Sequence, residues 1–252
     1  MKNVLFICLI FFSLLFAGHA KSANTLRFTA EDLYPLHFIN QKGLSDGFLV
    51  DVVGAILNEC NCDATIEIMP QARALRELQT DANTLMMSLL KTPSRAENYD
   101  FLGEVYTAHA YLVGKSERQF QLTDLQSARG LRVSTVRGYF SQRFLENAGF
   151  TLEIDLVLAP EPASLMKMLY KGRTDLVLTN TLHLEEELKS IGLDPTKIEK
   201  KLRLTDFPSE LHIVANKALP SETKNAISSA IKAIKHSGHY NALLAKWHLS
   251  NS

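Results

Sequence analysis

The chain has 252 residues, of which 27 are lysine or arginine and 27 are aspartate or glutamate. The formal net charge is therefore zero, which excludes a strongly basic nucleic-acid-binding face and a polybasic membrane-binding segment. About 230 residues follow a predicted leader, which is enough for one large or two modest domains with their own hydrophobic cores.

Residues 1–20 have the pattern of a signal peptide. Lys2 gives a positive start, residues 4–17 form an uncharged apolar run, and Gly18-His19-Ala20 offers the small residues that a signal peptidase recognises. The apolar run is short for a bilayer span, and Cys8 lies inside it, away from the cleavage point of a lipoprotein. The sequence predicts cleavage near Ala20 and a soluble periplasmic protein.

The first elements of the mature chain alternate between strand and helix. Residues 26–29 are typical of a strand, residues 48–58 carry apolar side chains at helical spacing, and residues 65–69 alternate like a second strand. Residues 72–79 are then helical. This order is typical of an α/β protein.

Two short motifs are not expected to be functional. Gly43-x-Ser45-x-Gly47 matches the nucleophile elbow of hydrolases, but Asp46-Gly47 is an ordinary turn pair and no buried strand leads into the serine. Cys60 and Cys62 are too close in sequence for good disulfide geometry and lack the spacing and partners of a metal site. We expect both cysteines to be incidental, and neither a metal nor a cofactor is predicted.

The stretch from Thr84 to Phe101 is the most informative in the chain. Residues 85–90 form an apolar run typical of a strand buried on both faces. Thr92 is a good helix N-cap, Pro93 suits the first helical position, and Arg95 falls in the first turn. A strand that ends at a helix N-terminus beside an arginine is suited to bind an anion, especially a carboxylate. The alternative is a structural role, in which Arg95 pairs with Glu97 or Asp100.

The second half repeats this order. Residues 131–134 resemble the opening strand, residues 161–170 form a helix, and residues 175–180 form another buried strand that ends in polar residues. The last third adds a strand at residues 211–215 and two amphipathic helices, the second with Trp247 on its packing face. Two α/β lobes of similar build explain this pattern most simply.

The chain resembles the family 3 extracellular solute-binding proteins, which are amino-acid-type periplasmic binding proteins with the two-lobed type II fold. The resemblance covers nearly the whole mature chain. The segments that carry it are Leu33-Tyr34-Pro35-Leu36-His37-Phe38, Asp46-Gly47-Phe48-Leu49-Val50-Asp51, the "T-x-x-R" segment from Thr92 to Phe101, Gly172-Arg173-Thr174-Asp175, and the segment from His236 to Trp247.

The resemblance implies several ligand contacts. The family's carboxylate-binding arginine corresponds to Arg95 and one of its site hydroxyls to Ser88. Tyr139 follows Gly138 where small hydroxyl residues are usual. Asn180 takes the place of the acidic residue that receives an α-ammonium group. An amide cannot neutralise a buried ammonium ion, so we expect a preference for acids that lack this group.

Three further residues complete the predicted site. The family's early stacking aromatic corresponds to Leu33, and the neighbouring Tyr34 is a candidate to replace it. Leu90 stands where a small hydroxyl residue would help to hold a carboxylate. Arg73 and Arg137 are candidate second donors to an acidic ligand, although a solvated or structural role is the alternative for both.

Together these features predict an α/β protein with the two-lobed type II periplasmic binding fold. Each lobe is expected to be a mainly parallel sheet flanked by helices, and the crossings between lobes are expected near residues 112–115 and 203–211. Lobe one would be residues 21–113 and 209–252, and lobe two residues 114–208. We expect a monomer that binds a small polar or acidic ligand for an ABC-type transporter. The alternatives are a ligand-sensing partner of a membrane receptor and an enzyme on the same fold.

Overall fold

The computed structural model describes residues 25–180 and 184–249, so the predicted signal peptide lies outside the described residues. The strands are β1 (Leu26–Ala30), β2 (Phe38–Ile39), β3 (Ser45–Asp46), β4 (Ala64–Ile68), β5 (Thr84–Leu90), β6 (Tyr99–Thr107), β7 (Ala110–Lys115), β8 (Val133–Val136), β9 (Leu156–Ala159), β10 (Leu176–Asn180), β11 (Ile198–Leu204) and β12 (Glu210–Asn216). The helices are α1 (Phe48–Cys60), α2 (Gln71–Thr80), α3 (Pro93–Ala96), α4 (Phe140–Asn147), α5 (Pro162–Tyr170), α6 (Leu184–Ser190), α7 (Ser221–His236) and α8 (His239–Lys246).

The strands form two five-stranded sheets, which are the cores of two lobes. The first has the order β4-β1-β5-β12-β6 and the second the order β11-β7-β10-β8-β9. In each sheet a single strand, β12 or β7, runs antiparallel to both of its neighbours, and the other four run in one direction. The two-lobed α/β architecture and the mainly parallel sheets are therefore confirmed.

The chain passes between the sheets twice, through residues 108–109 and residues 205–209. The second crossing lies inside the predicted range of residues 203–211. The first prediction, residues 112–115, was wrong because these residues belong to β7, which pairs with β10 and β11 of the second sheet. Val113, which the predicted boundary assigns to lobe one, thus lies in the second sheet. The two crossings are adjacent, since Ala108 donates its backbone N–H to the carbonyl of Ser209 at 2.7 Å.

Both faces of each sheet are covered by apolar side chains. One cluster joins the first sheet to α1, α7 and α8, and another joins its opposite face to α2. The second sheet packs on one face against α4 and on the other against α5 and α6. Trp247 packs in the first lobe, where its Nε1 donates to Asp51 at 2.6 Å. No helix among the described residues is long and apolar enough to span a membrane.

The two motifs that were expected to be incidental have different outcomes. Gly47 begins α1 with φ 128°, and a Cβ on it would lie 2.5 Å from the carbonyl oxygen of Leu36, so this glycine serves a close backbone approach. Cys60 and Cys62, however, form a disulfide, contrary to expectation. Asn61 ends α1 in the left-handed conformation, which brings the two Cα atoms to 5.3 Å, within the range that a disulfide spans.

Candidate functional site

A cavity of about 110 Å³ lies between the two lobes. Its walls come from residues at or just beyond the carboxyl ends of strands in both sheets, including β1, β5, β8 and β10. The crossing segments contribute Ala108 and Phe207. Open α/β sheets bind ligands at this end of their strands, so the cavity is the candidate ligand site.

Arg95 lies at the first-lobe wall of the cavity, held by the short helix that follows β5. Thr92 caps this helix by accepting the backbone N–H of Arg95, and Pro93 occupies the first turn, as predicted. The Arg95 Nη1 donates to the carbonyl of Leu90 at 3.0 Å. Among the described residues the guanidinium has no carboxylate partner, and Asp100 pairs instead with Lys224 at 2.7 Å. Burial, followed by the positive charge of Arg143, lowers the pKa of Arg95 from its ordinary value.

A carboxyl group that the sequence analysis did not select stands beside Arg95. Glu31 follows β1 directly, lines the cavity and accepts a hydrogen bond of 3.0 Å from the Gln71 side chain. Burial raises the pKa of Glu31 to about 8, although the Gln71 hydrogen bond and the charge of Arg95 act in the opposite direction. The first-lobe wall therefore carries both a cationic and an acidic group.

Ser88 also lines the first-lobe wall, where it is bound to a buried histidine. His37 Nε2 lies 2.7 Å from Ser88 Oγ, and His37 Nδ1 lies 2.6 Å from the backbone carbonyl of Glu31. Met87 and Ser88 together oppose the single residue Ile213 of β12, which makes a β-bulge in the ladder. Bulges of this kind redirect side chains near functional sites, which accounts for the exposure of Ser88 to the cavity.

The second-lobe wall carries Asn180 and Tyr139. Asn180 ends β10, and its Nδ2 donates to the carbonyl of Ala108 at 3.0 Å, so this side chain also joins the second lobe to the first crossing. Tyr139 precedes α4, which begins at the cavity without a side-chain N-cap. Gln142 donates its N–H to the carbonyl of Tyr139, so the N–H groups of Phe140 and Ser141 are the ones suited to an anion.

The structure brings four of the seven predicted contact residues together: Arg95, Ser88, Tyr139 and Asn180. The described lining does not include Tyr34, whose ring packs on Phe38 at 5.0 Å; Leu33 lines the cavity in its place. It also does not include Arg73, which pairs with Glu77 on α2, or Arg137, which follows β8.

Leu90, for which the resemblance implies a small hydroxyl residue, lines the cavity and packs against the apolar cluster of the second lobe.

The His37–Ser88 pair resembles the base and nucleophile of a hydrolase in distance alone. Burial lowers the pKa of His37 to about 4, and a general base works best when its pKa is near the operating pH. The pair is therefore poorly suited to activate a serine at neutral pH. No group of three metal-ligating side chains occurs in the part of the chain that the structure describes.

Sequence reasoning missed Glu31, His37 and Gln71. Glu31 follows β1 directly, and Gln71 begins α2 just after Met69 and Pro70, which follow β4, so their positions near strand ends were the available signal. For His37 there was no such signal, because its partner Ser88 is 51 residues away and becomes a neighbour only through the fold.

The sequence model of the bacterial extracellular solute-binding proteins, family 3, matches residues 27–250. Among curated proteins, a probable histidine-binding protein of Neisseria gonorrhoeae is 21% identical over 215 residues, covering 84% of this chain and 78% of that protein.

Solved structures include similar two-lobed proteins. A histidine kinase sensor domain with similarity to periplasmic binding proteins superposes with a TM-score of 0.80 at 19% identity, covering 89% of this chain and 96% of that one. The arginine-, lysine-, histidine-binding protein ArtJ of Geobacillus stearothermophilus gives a TM-score of 0.74 at 21% identity, covering 88% and 94%. At these identities the likeness establishes the fold.

Proposed function

Because the chain belongs to family 3 of the bacterial extracellular solute-binding proteins, we propose that it captures an amino-acid-like ligand between its lobes and passes it to a membrane protein. Arg95 is the observation that carries this proposal. It is a partly buried guanidinium at the cavity wall whose remaining N–H groups have no carboxylate partner among the described residues. A charged fork of donors in this position matches the carboxylate of a ligand.

Glu31 supports the presence of an amino group on the ligand in addition to the carboxylate that Arg95 would bind. The sequence alone favours acids without an α-ammonium group, because Asn180 cannot neutralise one. Glu31 places a titratable carboxyl on the same wall as Arg95. Its raised pKa keeps it protonated at neutral pH in the ligand-free protein, and a bound ammonium group would favour the ionised form, which is the missing countercharge. We therefore revise the preferred ligand to one with both an acidic and an amino group. The similar proteins named as binding histidine, arginine or lysine agree with this class.

The partner is proposed to be an ABC-type permease. A membrane receptor is the second candidate, because one similar structure is the sensor domain of a histidine kinase. Uptake of a labelled ligand in cells with and without the gene distinguishes the two. Loss of uptake supports transport, whereas intact uptake with loss of a transcriptional response supports sensing.

Export to the periplasm is proposed from the signal-peptide pattern of residues 1–20. Intact-mass analysis of protein released from the periplasm should give a chain that begins near Lys21 and carries no lipid. A released protein that retains Phe11 and Phe12 would contradict cleavage at this site.

Calorimetry on the exported protein tests the ligand class. The panel is L-histidine, L-arginine, L-lysine, L-glutamate and glutarate. Arg95→Ala is the variant, and Lys232→Ala, at an exposed lysine of α7 outside the described cavity lining, is the control. We expect at least one amino acid to bind the wild type and the control, and to lose most of its affinity in Arg95→Ala. Unchanged binding by Arg95→Ala, or binding of glutarate alone, would overturn the proposal.

A further inference from the structure

The polar groups around Ser88 determine whether its hydroxyl donates or accepts a hydrogen bond toward a ligand. We propose that His37 is a positioning residue that makes Ser88 a hydrogen-bond acceptor toward the cavity, so that the site selects ligands with an N–H donor at this point. This rests on the proposed capture of a ligand between the lobes and specifies the polarity of one contact.

The direction of the first hydrogen bond follows from chemistry. The backbone carbonyl of Glu31 has no hydrogen to donate, and His37 Nδ1 lies 2.6 Å from it. His37 Nδ1 must therefore carry the proton and donate it. In a neutral imidazole the other nitrogen, Nε2, is then an acceptor.

Burial keeps the imidazole neutral. His37 is fully buried, and its two ring nitrogens contact a backbone carbonyl and a serine hydroxyl. Within residues 25–180 and 184–249, no carboxylate bonds to the ring to stabilise a positive charge. The hydroxyl of Ser88, 2.7 Å from Nε2, must consequently donate its only hydrogen to His37. The oxygen of Ser88 retains its lone pairs, and because Ser88 lines the cavity these are available to a ligand.

Asn180 also offers a hydrogen-bond acceptor, on the opposite wall of the cavity. Its Nδ2 donates to the carbonyl of Ala108, which fixes the orientation of the amide and leaves Oδ1 as an acceptor with no donor among the described residues. Acceptors therefore face the cavity from both lobes, and a ligand amine is the group that can donate to several of them.

Selection follows from the cost of leaving such groups unpaired. A ligand without an N–H group removes water from the Ser88 oxygen and returns no hydrogen bond. Sites built to pair with a polar group reject analogues that lack it much more strongly than apolar pockets reject a missing methylene. A ligand should therefore bind more weakly when its amine is replaced by hydrogen.

The tautomer is testable on the ligand-free protein. Long-range ¹H–¹⁵N NMR of labelled protein at pH 7 should show a protonated Nδ1 and an unprotonated Nε2 for His37, assigned by the loss of these signals in His37→Leu. A protonated Nε2 would require Ser88 to accept from His37 and would overturn the proposal.

The selectivity is testable by a double-mutant cycle. The probes are L-histidine, L-arginine and L-glutamate, each paired with its analogue without the α-amino group: imidazolepropionate, 5-guanidinopentanoate and glutarate. In the wild type we expect the amino compound to bind at least about tenfold more tightly than its analogue, since a hydrogen bond to a charged group contributes of this order. Ser88→Ala should reduce this preference by weakening the amino compound alone.

His37→Leu should reduce the preference in the wild-type background and have little further effect in Ser88→Ala, because its action passes through Ser88. Ser134→Ala and His212→Leu, buried residues outside the described lining, are the matched controls and should leave the preference unchanged. Equal effects of His37→Leu in both backgrounds would contradict the proposal. If none of the six compounds binds, both the proposed ligand class and the proposed selectivity are wrong. The NMR spectrum of the ligand-free protein still decides the tautomer of His37.

Discussion

Arg95 combines a permanent charge with a fixed position at the cavity wall. A charge-assisted hydrogen bond typically contributes roughly 1.5–3 kcal/mol, so Arg95→Ala should weaken ligand binding by about ten- to a hundredfold. Arg95→Lys should restore little, because one ammonium group cannot reproduce the planar fork of a guanidinium. Calorimetry on the three proteins measures this, and full rescue by lysine would show that charge alone matters.

Glu31 should make the stability of the ligand-free protein depend on pH. Burial raises its pKa from the ordinary 4.5 to about 8 in the folded protein. The folded chain therefore retains this proton where the unfolded chain has lost it. The contribution of Glu31 to the free energy of unfolding is fully present below pH 4.5 and is lost as the pH rises through about 8.

Urea unfolding of wild type and Glu31→Gln at pH 5 and pH 8 tests this dependence. The wild type should lose more stability than the variant between the two values. His37, whose pKa is lowered to about 4, acts in the opposite direction, because its contribution is lost as the pH falls. That effect is common to both proteins and cancels in the comparison. Identical pH dependence in both would show that Glu31 does not titrate in this window.

At the scale of single elements, α3 is only four residues long and yet holds Arg95. Its N-cap, Thr92, is buried and accepts the backbone N–H of Arg95. Thr92→Ala should destabilise the protein by about 1 kcal/mol and should also weaken ligand binding, because the first turn then frays. Thr92→Ser keeps the capping oxygen and is the matched control. Equal binding by both variants would show that the cap does not position Arg95.

The elements that local rules govern could be predicted from the sequence. β5 and its capped turn follow from an apolar run, a threonine and a proline that are adjacent in the chain. The mixed burial of β6 gives no such pattern, and it was not predicted. The first crossing was misplaced for a related reason, since the membership of β7 in the second sheet depends on pairing with β10 and β11, which come later in the chain.

The candidate site likewise contains residues that local sequence patterns predict and features that they do not. Asn180 ends β10, Ser88 lies near the end of β5, and Arg95 lies in the short helix that follows β5. All three stand within recognisable segments, and the structure places them around the cavity. The contact of His37 with Ser88 joins two distant segments, and the bulge that exposes Ser88 depends on the register of β5 with β12. Such features arise from tertiary pairing, which a single sequence does not encode in any local pattern.

At the scale of the whole molecule, the cavity has walls from both lobes, and the lobes are joined by two adjacent crossings. A ligand that contacts Arg95 on one lobe and Asn180 on the other should favour the closed arrangement. Small-angle scattering should therefore show a smaller radius of gyration for the liganded protein than for Arg95→Ala under the same conditions. An unchanged radius in a protein that calorimetry shows to be saturated would contradict closure.

A crystal structure with the tightest-binding member of the calorimetric panel tests ligand capture most directly. We expect a carboxylate oxygen of the ligand within about 2.7–2.9 Å of an Arg95 guanidinium nitrogen, as in other charge-assisted contacts. Its amino nitrogen should lie within hydrogen-bond distance of Ser88 Oγ or Asn180 Oδ1, with residues of both lobes in contact. A ligand bound outside the cavity, or one inside it that leaves Arg95 bonded only to Leu90, would contradict this site.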